Sequence, residues 1–221
     1  MSLQKRLVAT VALGIAGAVA VSALTHEHRA TVQGSVVGPV QSPSQTPTTG
    51  PLPSSRTVEM PAGESAPNAT SAATLRREAI DAVTSVGLVD RRAAREAGFL
   101  PMPGDAFHWY QPDALADGVA VDPRRPEFLM IEGDQVTGVM FVTAEEEPDP
   151  PPGSPIVRWH RHEWSAPVCL GIGELVVVGL PDADGSCPQG GTPRDRSPWM
   201  FHVWFEGDDP FSAEMHATHE H

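Results

Sequence analysis

The sequence predicts an α+β fold: two short N-terminal helices packed on a mainly antiparallel β-sheet or small barrel. Three observations lead there. Apolar residues at helical spacing are confined to the stretch between residues 71 and 98. Beyond it come short runs rich in Val, Ile, Phe and Trp, separated by Gly, Pro and acidic residues. Every aromatic residue lies at or beyond Phe99, so the first third of the chain is not building the core.

The elements follow in order. Lys5 and Arg6 precede an uncharged run from Leu7 to Leu24 that ends in small residues at Val21-Ser22-Ala23. A basic start, an apolar middle and a small-residue exit read as an export signal over 1–23 with cleavage after Ala23. The run is also near the lower limit for a spanning helix, so an uncleaved anchor is the alternative and the sole expected link to a membrane. In both cases the rest of the chain lies outside the cytoplasmic membrane, extracellular or on the cell-surface or cell-wall side. Residues 24–70 are rich in Pro, Gly, Ser and Thr and hold no aromatic residue. Such a stretch buries too little apolar surface to offset its ordering entropy and reads as a disordered stalk.

A globular domain is expected over 71–213. Leu75, Ala79, Ile80, Val83 and Val86 form one helical stripe, with Thr74 as its cap and Gly87 as its stop. Asp90 opens a second helix, Arg91 to Ala97, closed by Gly98, and a helical turn follows Pro112. Strands are expected at Glu127–Ile131, Val136–Thr143, Ile156–Trp164, Glu174–Gly179 and Trp199–Phe205. A His-rich tail, 214–221, closes the chain.

Charge narrows the partners. The formal net charge is −13, and removal of Lys5 and Arg6 with the leader would leave Arg as the only basic residue type. Phosphate backbones need clustered cations, so no nucleic-acid partner is expected; an acidic surface suits a protein that gathers cations. The chain contains no GxSxG elbow, no HExxH pair and no phosphate-binding loop of the GxxxxGK type. Cys169 and Cys187 are the only cysteines. In an exported domain they read as one disulfide, the alternative being a soft metal ligand.

The nine histidines carry the chemistry. In Trp159-His160-Arg161-His162-Glu163-Trp164, a strand would aim His160, His162 and Trp164 to one face and the other three residues to the opposite face. His202 stands in a second apolar run with Met200 and Trp204 at the same period of two, and His108 is expected to come in from a loop beside Trp109. His160, His162, His202 and His108 are therefore the candidate ligands of a divalent transition metal, copper or zinc, with the neighbouring indoles as a water-excluding wall. Met200 is a candidate further ligand that would favour copper, against its reading as ordinary core filling. His26 would become the third residue of a chain cleaved after Ala23, and a free amine with a third-position imidazole can wrap Cu²⁺. Strand parity points Glu163 away from the ligand face, so it is not expected to act as a base there.

Several pieces, His108-Trp109, Asp117-Gly118, Asp122-Pro123, Arg125-Pro126-Glu127, Gly138-Val139-Met140-Phe141, Trp159-His160 with His162, and His202-Val203-Trp204, resemble an uncharacterised family of exported bacterial proteins. The resemblance covers about residues 98–212 and implies one coherent domain without implying an activity. The arrangement is also distantly similar to cupins, which set an HxH on one strand and a later His on another; the Glu expected beyond the second His is absent here, Ala166 and Pro167 standing in those places. Three functions follow as expectations: a metal-binding protein that buffers, delivers or senses metal; a His-ligated metalloenzyme, hydrolase or oxidase; or a metal-free, Trp-rich interaction module.

Overall fold

The computed structural model describes residues 50–61 and 69–213. The chain divides into two units, Met1–Pro43 and Ser44–His221. The expected leader, most of the expected stalk with His26, and the C-terminal tail lie outside the described residues.

The fold is α+β: among the described residues one antiparallel sheet curls into a half-barrel and three helices accompany it. The strands are β1 (Ser55–Glu59), β2 (Leu100–Met102), β3 (Asp105–Tyr110), β4 (Phe128–Glu132), β5 (Gln135–Thr143), β6 (His160–Gly171), β7 (Val176–Gly179), β8 (Thr192–Arg196) and β9 (Trp199–Trp204). Their order across the sheet is β1-β6-β9-β5-β4-β3-β2, with β7 and β8 pairing to the long β6.

The helices are α1 (Ala69–Ser85), α2 (Arg91–Glu96) and α3 (Pro112–Leu115). Leu75, Ala79 and Val83 are buried against Leu129, Phe141, Phe201 and Val203, which cover one face of the sheet. α1 starts before Thr74, the expected cap, because Ala72 is also buried. The helix ends before Val86, which is 69% exposed and takes no part in the stripe. Arg76 ties α1 to the sheet, its guanidinium donating to the carbonyls of Trp204 at 3.1 Å and Phe205 at 2.6 Å. Asp90 caps α2 as expected, accepting from the Ala93 amide at 2.7 Å. Arg91 and Arg95 of α2 lie over the Trp109 ring instead of forming only an outer charged face.

Four departures from expectation matter for the site. First, Ser55–Glu59, inside the expected stalk, forms β1 and pairs with β6 in the register Thr57↔His162 and Glu59↔His160. An edge strand can be held by ladder hydrogen bonds with little burial, and only Val58 of the five residues is even half-buried. Second, β6 begins at His160 and runs on to Gly171, later and longer than expected. Third, β2 and β8 were not foreseen; Pro101, Pro193 and the charges of Thr192–Arg196 mask them. Fourth, His108 lies on β3 and not on a loop. Cys169 and Cys187 form a disulfide, with 5.7 Å between their Cα atoms.

Candidate metal centre

The sheet separates two environments. Trp109, Trp159, Phe141 and Phe201 belong to the helix-covered face. Phe128, Met130, Met140, Met200 and Trp204 belong to the other, inner face. Trp159 takes the far face, as strand parity predicts; the expectation that Trp109 would wall the site beside His108 is corrected, since it too alternates to the far face, while Trp204 packs against His202 at 5.5 Å between ring centroids. Trp164, on the same side of β6 as His160 and His162, lines a cavity together with His162.

All four domain histidines come to this inner face. Ring centroids lie 5.7 Å apart for His162 and His160, 4.8 Å for His160 and His202, and 5.9 Å for His202 and His108. The last distance depends on the curl. β3 and β9 are three strand steps apart, which in a flat sheet would separate them by roughly 14 Å. Bending toward the inner face, with β5 opposing Met140 to His202 and β4 opposing Met130 to His108, brings the rings together. Met200 stands opposite His160 across the β6–β9 pair.

Three of the rings are held through a bond that leaves a second nitrogen over, and the fourth, His162, has a hydroxyl neighbour. His108 donates from Nδ1 to Asp105 Oδ2 at 2.6 Å, and Asp105 Oδ1 accepts from the amides of Phe107 and His108 at 2.8 and 3.2 Å. His202 donates from Nδ1 to the Ser212 carbonyl at 3.3 Å, an oxygen that also accepts from Trp204 Nε1 at 3.1 Å. The Arg158 carbonyl accepts from the His160 ring. His162 Nδ1 lies 3.5 Å from Thr57 Oγ1 on β1. A carbonyl or carboxylate can only accept, so these bonds fix the proton on the bonded nitrogen and leave a lone pair on the other. Nε2 of His108, of His160 and of His202 is buried and has no hydrogen-bond partner. Asp105, unforeseen in the sequence, stands three residues before His108; once that segment is read as a strand, a carboxylate beside an imidazole is the signal.

The electrostatics disfavour the protonated form of three of the rings. Burial, and then the charge a protonated His162 would add, lowers His160 to about 3, against the pull of the Arg158 carbonyl. Burial, followed by the other three imidazoles, lowers His202 well below the usual range. Burial and then His108 lower His162, opposed by Asp105. Burial alone would raise the Asp105 carboxyl, but the His108 bond and charge and the two amides outweigh it and hold it below its ordinary value. Glu163 points away, as strand parity requires, and is engaged by Arg56 and Arg161.

Among the described residues, no three or more His, Cys, Asp or Glu side chains stand as a formed metal-binding group. The imidazoles form a row, His162–His160–His202–His108, not a closed shell. The donor set nonetheless fits a transition metal in kind: imidazoles, three of them oriented through one nitrogen with the other buried and without a partner. Two imidazoles on one tetrahedral ion, about 2.1 Å from each nitrogen, hold their centroids roughly 5 Å apart, close to the spacing seen here. Comparisons with family models, with curated proteins and with solved structures return no match, so the functional reading rests on the site.

Proposed function

We propose that this chain is an exported metal-binding protein that holds copper or zinc on His160, His202, His108 and His162, and that it buffers, delivers or senses that metal. The observation that carries the reading is the set of three buried Nε2 atoms with no partner. Each buried lone pair without a bond costs about 1–3 kcal/mol, and a shared cation removes that cost for all of them at once. Neutral rings meet the ion without first losing a proton. Imidazole donors suit both copper and zinc, and Met200, opposite His160, adds a soft sulfur within the same neighbourhood. A metal-free interaction module gives no reason to gather four histidines at the centre of the inner face. A metalloenzyme is favoured by one specific observation, the ligand-sized space on which two of the rings open.

The test is elemental analysis of protein matured in its own host, together with copper and zinc reconstitution of metal-free protein. Equimolar copper or zinc is expected, and its loss in the double variant His160→Ala, His162→Ala, with the fold retained by circular dichroism. Retention of equimolar metal by that variant overturns the ligand assignment.

A further inference from the structure

The inner face forms a half-open cavity of about 500 Å³ bounded by β1, β2, β3, β4, β5, β6, β7 and β9. Resting on the metal reading above, we propose that this cavity binds a small, uncharged organic molecule with an apolar body and one nitrogen, oxygen or sulfur donor, and seats that donor beside the histidine row.

Four features of the walls lead to that class of ligand. The volume falls in the range of small-molecule sites. The walls are mostly aliphatic, aromatic or thioether, and Met102, Met140 and Met200 provide side chains that adapt to a guest. Asp105 is the one carboxylate in the wall, and it is already bonded to His108; no Lys or Arg reaches in, so a charged ligand would find no counter-ion. The polar lining is Ser55, Ser197, Asp105 and two imidazoles, His108 and His162, which belong to the row that would carry the metal. An apolar chamber with metal-ligating imidazoles at one wall selects a molecule whose single donor completes the coordination while its body is removed from water.

The segment before β1 walls one side of the chamber. Leu52 and Pro53 form part of its wall, and Gly104, at φ +76°, permits this approach: a Cβ there would sit 3.1 Å from the Gly50 carbonyl oxygen and 3.2 Å from Leu52. The ligand space is thus completed by residues from outside the expected domain boundary at Ser71.

The experiment uses the full chain, loaded with Cu²⁺ and checked for equimolar copper, and titrates it by calorimetry with 4-phenylimidazole and with imidazole while the copper ligand-field band is followed. The expected result is a shift of that band by both, with 4-phenylimidazole binding about 10-fold or more tightly because its ring is buried. Filling the chamber with Leu175→Phe, or with Met102→Trp should the first variant fold poorly, is expected to abolish this preference with copper content unchanged. Equal affinities for the two probes on copper-loaded protein overturn the chamber inference and leave the metal reading standing. Failure of the chain to take up copper or zinc overturns both.

Discussion

Asp105 Oδ2 and His108 Nδ1 lie 2.6 Å apart, and this bond decides which nitrogen of the imidazole remains for other use. Replacing the carboxylate by an amide keeps the shape but removes the charge that orients the ring and raises its basicity. Asp105→Asn is therefore expected to weaken copper or zinc binding by about 10–100-fold, measured by chelator competition, with the metal-free protein folding normally. Unchanged affinity would leave Asp105 a structural residue only.

Acid should unfold the metal-free protein through its histidines. His160 is lowered from 6.5 to about 3 in the fold, and His202 is lowered as well. Between those values the unfolded chain binds more protons, so stability is whole above about pH 6.5 and declines as pH falls toward 3. The expected slope is roughly 1.4 kcal/mol per pH unit for each such group, read from denaturant midpoints. His160→Gln is expected to flatten this limb.

Glu127 works in the opposite direction. It is 3% exposed, and burial, reinforced by Asp117 and Asp122 against a hydrogen bond from its own amide, pushes its carboxyl from 4.5 to about 9. Here the folded state binds the extra proton. Its contribution is complete below about pH 4.5 and is lost as pH rises toward 9. Glu127→Gln should remove that decline, so that the variant gains on the native chain with each step in pH between those limits. A parallel pair of pH curves would show that Glu127 is ionised in the fold.

The pairing of β1 with the ligand strand can be cut at one atom. The Met60 amide donates to the Trp159 carbonyl and the Ser165 amide to the Ser54 carbonyl, which puts Val58 and Arg161 at a hydrogen-bonded pair of the same ladder. Val58→Pro removes that donor and should cost about 1–3 kcal/mol, the cost of leaving the Arg161 carbonyl without its partner. Hydrogen exchange at the Arg161 and Glu163 amides is expected to accelerate, and metal to dissociate faster. If β6 stays protected in this variant, β1 does not support the site.

The sequence showed what is local. The Asp90 cap, the stripe through Leu75, Ala79 and Val83, and the common face of His160, His162 and Trp164 all follow from periods and caps within a few residues. The disulfide follows from there being only two cysteines in a chain read as exported. β1 was hidden because an edge strand with four of five residues exposed carries no apolar alternation. β3 was hidden by the Pro and Gly before it, and with it the parity that sends Trp109 away from His108. The proximity of His108 and His202 was hidden most deeply, since it arises from the bending of four strands and has no counterpart in the spacing of any one of them.

The Ser212 carbonyl, which receives both His202 and Trp204, lies almost at the last described residue. The chain goes on for eight more residues with His216, His219 and His221 among them, so a handle added after His221 extends a tail that already supplies imidazoles close in sequence to the oxygen that steers His202. A polyhistidine purification handle placed there would add more competing imidazoles and confound every metal count. Handles for this protein belong elsewhere, or must be excised before the ion is measured.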